Sequence, residues 1–395
     1  MQIYVDNAAT TKLSDQALEK MLPYLKEAYG NPSSLYTLGQ QAKEAIEEAR
    51  AKMASYLGCF PKDIVFTSGG SEADNQALLS AAAFGKRQGK KHIISSAIEH
   101  HAILHTLDKL EKEGFEVTLL PVYEDGIVRI DDLKAAIRED TVLVTIMYAN
   151  NEIGTIQPIT EIAEVCAEKG ILFHTDAVQA VGHLPINCET QKIDLLSLSA
   201  HKFHGPKGAG VLVSRGKMKL ISLIEGGAQE RHKRAGTENV PAIVGMAAAF
   251  EEAVKNQEAD GEKCRLLRDH LQNKLLQIEH SKLNGAKEQR IPGTLNMCFE
   301  GIEGESLLLL LDDKGIAASS GSACTSGELD PSHVLLALGL PHEVAHGSLR
   351  ISLTADNTME EMDYMAKSIE EVVTYLRNIS PVWKDLQKGT KQYVI

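Results

Sequence analysis

No two cysteines of this 395-residue chain are spaced as CxxC. The six thiols (Cys59, Cys166, Cys188, Cys264, Cys298 and Cys324) are scattered, which suits neither a disulfide framework nor a structural zinc site. No apolar stretch approaches the ~20 residues that span a bilayer. The opening MQIYVDNAATTKL has no basic flank followed by an apolar run, so no secretory signal is expected. Positive charge is in deficit: 41 Lys and Arg against 54 Asp and Glu leave a formal net charge of −13. Such a surface repels phosphate backbones, which argues against direct nucleic-acid binding, and leaves room for a basic protein partner. Internal repeats, low-complexity tracts and the Walker pattern are missing too. The expectation is a cytoplasmic globular protein with reduced thiols, its length suggesting roughly two to three domains.

Between about residues 60 and 215, short β-rich runs alternate with helical patterns. Asp63–Phe66, His92–Ser96, Thr141–Tyr148 and Ile171–Thr175 read as strands. Ser71–Ala83 and Ala102–Glu113 read as helices, and Ile159, Ile162, Ala163, Cys166 and Ala167 share one helix face. That alternation predicts an α/β domain whose largely parallel sheet is covered on both faces. After residue 240 the pattern changes. Two long helices, Ala242–Asn256 and Lys263–Gln277, precede a smaller α+β region with strands at Gly293–Phe299, Ile316–Ser319 and Ser348–Leu353. Helices are expected there at Ser306–Asp312, Pro331–Leu338 and Met359–Leu376, followed by a loosely held polar tail after Ser380. We place a large domain at 16–255 and a small one at 1–15 plus 256–395, with a loop at about 319–330.

The densest chemical signal is Ser199-Ala200-His201-Lys202-Phe203-His204-Gly205-Pro206-Lys207-Gly208. A lysine between an apolar strand and a Gly-Pro-Lys-Gly turn is oddly placed for a solvating charge, though a surface turn is the bland alternative. A Schiff-base lysine needs a pocket whose desolvation frees the amine, and Ser199 and His201 can hydrogen-bond a phosphate. Asp176 in His174-Thr175-Asp176-Ala177-Val178-Gln179 ends a predicted strand, where open α/β sheets bind ligands. A carboxylate there can keep a pyridine nitrogen protonated, with Gln179 three residues on; alone, it is as readily a helix cap. Thr67-Ser68-Gly69-Gly70-Ser71-Glu72 joins a strand to a helix and reads as an anion site or as a simple cap. His100 can stack on a ring and move protons. His101 and His105 have metal-like spacing, but no third ligand follows, so no metal is expected. Cys324 differs from the other cysteines in standing in a small-residue loop, Ser319-Ser320-Gly321-Ser322-Ala323-Cys324-Thr325-Ser326-Gly327. No Lys or Arg flanks it to explain a thiolate.

With these residues together the chain resembles the NifS/IscS-type cysteine desulfurases, among the class-V aminotransferase-like enzymes of fold type I. The resemblance runs nearly end to end, through Tyr4–Thr11, Gly30–Ser34, Asn150–Gly154, Arg234–Asn239 and Ser348–Arg350 as well as the motifs above. It implies pyridoxal phosphate held on Lys202, with Asp176 at the ring nitrogen, Gln179 at the ring hydroxyl and His100 stacked. Gly70, Ser71, Ser199 and His201 would cradle the phosphate. Thr237 would reach the phosphate of a second subunit, making the protein a homodimer. Asn151 and Arg350 would hold the substrate carboxylate, Arg by a bidentate fork, and Cys324 would carry a persulfide. Gly70-Ser71 stands where relatives often have Ala-Thr, which keeps a backbone donor and a hydroxyl. The loop looks like the long-loop branch of the family rather than the Suf type.

The implied reaction converts L-cysteine to L-alanine. Lys202 or His100 moves the Cα proton, and Cys324 takes the sulfur and hands it to an acceptor such as an iron–sulfur scaffold. A selenocysteine lyase, an aminotransferase on the same scaffold and a non-catalytic sulfur-trafficking subunit remain alternatives. An aminotransferase would need no loop cysteine.

Overall fold

The computed structural model describes residues 2–216, 218–320 and 331–395. Its strands in chain order are β1 (Ile3–Tyr4), β2 (Ile64–Thr67), β3 (His92–Ser96), β4 (Glu116–Leu120), β5 (Thr141–Thr145) and β6 (Leu172–Asp176). They continue with β7 (Leu195–Ser199), β8 (Gly210–Ser214), β9 (Ser281–Leu283), β10 (Thr294–Phe299), β11 (Ile316–Ala317) and β12 (Ser348–Ser352). The main sheet has seven strands in the order β2-β8-β7-β6-β5-β3-β4. Only β8 runs against its neighbours. Six strands therefore deliver their carboxyl ends to one edge, and β8 begins there. Strands β2, β3, β5, β7 and β8 are buried at every residue, as expected of a sheet covered on both faces.

Three hydrophobic clusters stabilise this arrangement; one, around Leu78, Ile93 and Leu107, packs on the main sheet, and the other two frame the site. The larger gathers the helix Thr37–Leu57, one face of the sheet and the first half of the helix Val240–Leu275. It also takes in Val334, Leu335, Leu338 and Val344. The smaller holds Ile3, Val5, the second half of that helix, β10, β12 and the helix Met359–Ile379. Arg50 and Glu230, both nearly fully buried, join in a two-pronged ion pair at 2.7 and 2.8 Å. Glu230 also accepts the Phe66 N–H at 3.0 Å, which pins β2 to the segment leading toward Thr237.

Two expectations need correction. The helices read at 242–256 and 263–277 are one continuous helix, Val240–Leu275. Gly261 sits inside it, and a helical glycine costs only about 1 kcal/mol, less than packing on both clusters returns. The tail after Ser380 is not loose. It forms a helix at Pro381–Gln387 whose Trp383 lies under the Arg377 guanidinium, 4.0 Å from the ring centre. Tyr393 stacks on His280 at 3.7 Å, and the Glu300 carboxylate accepts the N–H groups of Val394 and Ile395. No helix among the described residues is long and apolar enough to cross a membrane.

Candidate active site

Gly70, Ser71, His100, Asp176, Gln179, Ser199, His201 and Lys202 follow or end strands at the edge where the parallel strands end. Strand β2 turns through Ser68 into the helix Gly70–Arg87, whose first turn has no side-chain cap. A helix start left open in this way offers N–H groups and a positive dipole end. A Cβ on Gly70 would come within 2.7 Å of Val178, and one on Gly210 within 2.6 Å of the Gly69 Cα. Glycine thus lets the helix start, the β8 entry and the turn after β6 close together. Ser199, the buried last residue of β7, places its hydroxyl 3.6 Å from where a Gly69 Cβ would stand. The half-buried imidazole of His201 meets the Thr10 hydroxyl at 3.1 Å. Burial, then Lys202 and Lys207, push His201 down to about 4, so it is neutral near pH 7.

Asp176 is buried at the end of β6 and caps no helix; its Oδ1 accepts the Val178 N–H at 2.9 Å. Burial raises its pKa, while His100 and Lys202 pull it back. Behind it, burial and the charge of Asp176 hold the Asp74 carboxyl far above the usual range, against a hydrogen bond from Ser197. Lys202 donates to the carbonyls of Ala8 at 2.5 Å and Ala9 at 2.9 Å. Gln179 donates to the same Ala8 carbonyl at 2.9 Å. The N-terminal segment is itself fixed over the site, since the Thr11 N–H donates to His201 O at 2.9 Å and the Ala8 N–H to the Ser352 hydroxyl at 2.8 Å.

His100 caps the helix His101–Lys112, its Nδ1 accepting the Ala102 N–H at 3.1 Å. A ring nitrogen that accepts carries no proton, so the neutral ring holds its proton on Nε2. The preceding Glu99 is fully buried. Its Oε1 accepts from Ser96 at 2.5 Å and from the Met147 N–H at 3.0 Å, and burial pushes it up to about 8 against those bonds.

On the small-cluster side, Arg350 is 2% exposed. It grips the Asn151 carbonyl at 3.2 Å and Asp6 at 2.8 Å, and its Nε has no partner among the described residues. An orphaned guanidinium N–H beside Asn151 suits an anionic ligand. Arg350 also exchanges backbone hydrogen bonds with Ser319, at 2.7 and 3.3 Å. Thr237 is exposed on the segment leading into the long helix, which Arg234 anchors on Glu72 at 3.0 Å. Cys324 lies outside the described residues. The remaining cysteines are buried or half-buried thiols. Burial raises Cys264 to about 11, Cys59, Cys166 and Cys298 to about 12, and Cys188 further still.

Sequence reasoning missed the Ala8 and Ala9 carbonyls, Asp6, Asp74, Glu99 and Glu152. The Tyr4–Thr11 motif was the only signal for the first group.

The residues present fit pyridoxal phosphate. A buried carboxylate at a strand end could keep a ring nitrogen protonated, a primary amine can take an aldehyde, and an uncapped helix start with hydroxyls can take a phosphate. The description "Aminotransferase class-V" matches residues 3–365. A cysteine desulfurase IscS of Clostridium botulinum is 52% identical, covering 99% of each chain. A solved NifS-like protein superposes with a TM-score of 0.90 at 40% identity, covering 95% of this chain and all of that one. The structure of SspA in complex with cysteine gives 0.79 at 37% identity, over 89% and 99% of the two chains. This chain belongs to the pyridoxal-phosphate-dependent class-V aminotransferase family, in its NifS/IscS-type cysteine desulfurase branch.

Proposed function

We propose that the chain is a cysteine desulfurase that converts L-cysteine to L-alanine and passes the sulfur on as a persulfide of Cys324. The observation that carries this reading is the joining of two sites through Arg350. Its guanidinium stands at Asn151, and its backbone holds Ser319, five residues before Cys324. Five residues span at most about 18 Å, so chain length allows the Cys324 thiol to reach a substrate held there. Pyridoxal phosphate, when bound, supplies the electron sink that labilises bonds at the substrate's Cα and Cβ.

The chain's own residues divide the remaining work. Lys202 would hold the cofactor and take the Cα proton; Asp176 would pair with its ring nitrogen, Gln179 would bond its ring hydroxyl, and His100 would stack on it. With Nδ1 accepting the Ala102 N–H, the neutral His100 ring offers its Nε2–H as a hydrogen-bond donor. Gly70, Ser71, Ser199 and His201 receive the phosphate. Asn151 and Arg350 bind the substrate carboxylate. The Cys324 thiolate forms a bond to the substrate sulfur as the carbon–sulfur bond breaks, and the carbon skeleton leaves as alanine after protonation.

Residues 16–255 act as the cofactor domain, and 1–15 with 256–395 as the domain that presents Cys324. The working form is a homodimer in the cytoplasm. Thr237 is exposed, and Tyr29, Leu35 and Tyr36 leave 72%, 93% and 60% of their surface uncovered, as a second copy would use. The acceptor is a protein of iron–sulfur cluster or thio-cofactor assembly, and the net charge of −13 favours a basic one. The test is alanine release from L-cysteine by the holoenzyme and by Cys324→Ala. Loss of turnover in the variant with its cofactor absorbance intact is expected. An unchanged rate overturns the reading.

A further inference from the structure

Glu152 is a buried carboxyl to which the reaction above gives no task. Its backbone is held on both sides: the N–H donates to Asn150 Oδ1 at 2.8 Å, and the carbonyl accepts from Asn296 at 3.1 Å. Its Oε2 accepts the hydroxyl proton of Ser332, 180 residues away. Ser332 in turn caps the helix His333–Ala337, its oxygen accepting the N–H groups of Val334 at 3.1 Å and Leu335 at 3.3 Å. One hydroxyl therefore ties a helix start to Glu152 with its whole bonding capacity.

The place of this tie gives it meaning. Ser332 is eight residues beyond Cys324, as Ser319 is five before it. Ser319 pairs with Arg350 in β12, whose side chains belong to the smaller hydrophobic cluster. Val334 and Leu335, just after Ser332, pack in the larger one. The chain carrying Cys324 thus runs from one cluster to the other. Both of its described roots meet the same wall: Arg350 grips the Asn151 carbonyl, and Glu152 is the next residue. Burial pushes the Glu152 carboxyl up to about 7, against Ser332, Arg350 and His100. Near neutral pH it is therefore divided between its neutral and charged forms, either of which can accept the Ser332 hydrogen bond.

We propose that Glu152 is a positioning residue: through Ser332 it fixes where the chain carrying Cys324 rejoins the fold, against the wall that holds the substrate carboxylate. The inference rests on the desulfurase reading. Removing the tie leaves cofactor and substrate binding in place and slows sulfur transfer to Cys324.

The experiment compares holoenzymes of the wild type, Glu152→Ala, Glu152→Gln and Ser332→Gly. Glycine is itself a favoured helix-cap residue but has no hydroxyl. Measured are cofactor absorbance, KM for L-cysteine, kcat, and the single-turnover rate of persulfide formation on Cys324. Glu152→Ala and Ser332→Gly are expected to keep the absorbance and a KM within threefold, while persulfide formation slows at least tenfold. Glu152→Gln, whose amide oxygen still accepts the Ser332 proton, is expected within threefold of wild type. Persulfide formation within threefold of wild type in Glu152→Ala overturns the proposal, as does a loss that travels with KM or with cofactor absorbance. A parallel Cys324→Ala control separates the two readings. If it turns over cysteine normally, the desulfurase reading itself fails; if it is dead while the Glu152 variants are normal, only the positioning role fails.

Discussion

Lys202, Asp176 and Gly70 each stand within three residues of the carboxyl end of a sheet strand, whereas Cys324 belongs to a segment whose two roots pack in different hydrophobic clusters. On the cofactor side, position follows from strand register. A residue that ends a buried strand cannot shift without turning neighbouring side chains out of the core. On the sulfur side, the described roots of the segment are held by a few hydrogen bonds at Ser319 and Ser332. A group that must reach a substrate and then an acceptor is better served by tethers than by a sheet. The difference separates a half of the site that binds from a half that delivers.

Substitutions that strike one half and spare the other test this division. The largest effect is expected for Lys202→Ala on the cofactor side. Turnover falls by about 10³-fold or more, and the lysine-linked visible absorbance disappears. A variant that kept both would remove Lys202 from the site. Next comes the frame beneath it. Arg50→Met strands the buried Glu230 carboxylate and should cost about 3–5 kcal/mol in urea unfolding. If the loss were under about 1 kcal/mol, the Arg50 pair would not be what pins β2 and the Thr237 segment.

Arg350 stands where the halves meet. Arg350→Lys keeps the charge and loses the fork, and should raise KM for L-cysteine by about 10- to 100-fold, roughly 1.4–2.7 kcal/mol, with a smaller change in kcat. A kcat effect alone would place Arg350 with the delivering half only. The last effect is one of pH dependence and concerns Glu99. Its folded pKa of about 8 lies above the ordinary 4.5, so the folded state binds more protons and stability falls as pH rises through that window. Glu99→Gln should remove a slope of up to about 1.4 kcal/mol per pH unit from unfolding curves between those limits. Glu152→Gln should do the same only up to about pH 7.

The cofactor side was largely legible in the sequence because its residues follow apolar runs. Leu195–Leu198 announces Lys202, and Ile171–Thr175 announces Asp176. What escaped were partners without a local signature. Backbone carbonyls at Ala8 and Ala9 have no residue type to betray them, and the Glu152–Ser332 bond joins positions that no periodicity relates. Asp74 and Glu99 carry charges that read as solvent-facing until the fold buries them. The long helix was split because Gln257–Glu262 is polar on all sides, and the C-terminal tail was judged by polarity although Trp383 and Tyr393 anchor it. Thr237 and Cys324 were placed by family resemblance, since neither carries its chemistry in its immediate neighbours.

The most direct test is the mass of the peptide containing Cys324 after the holoenzyme is mixed with one equivalent of L-cysteine and quenched without acceptor. The account predicts one added sulfur atom on that peptide, released by thiol reductant, with alanine formed in equal amount. Alanine formed with no sulfur on Cys324, or with the sulfur on another of the chain's cysteines, would contradict it.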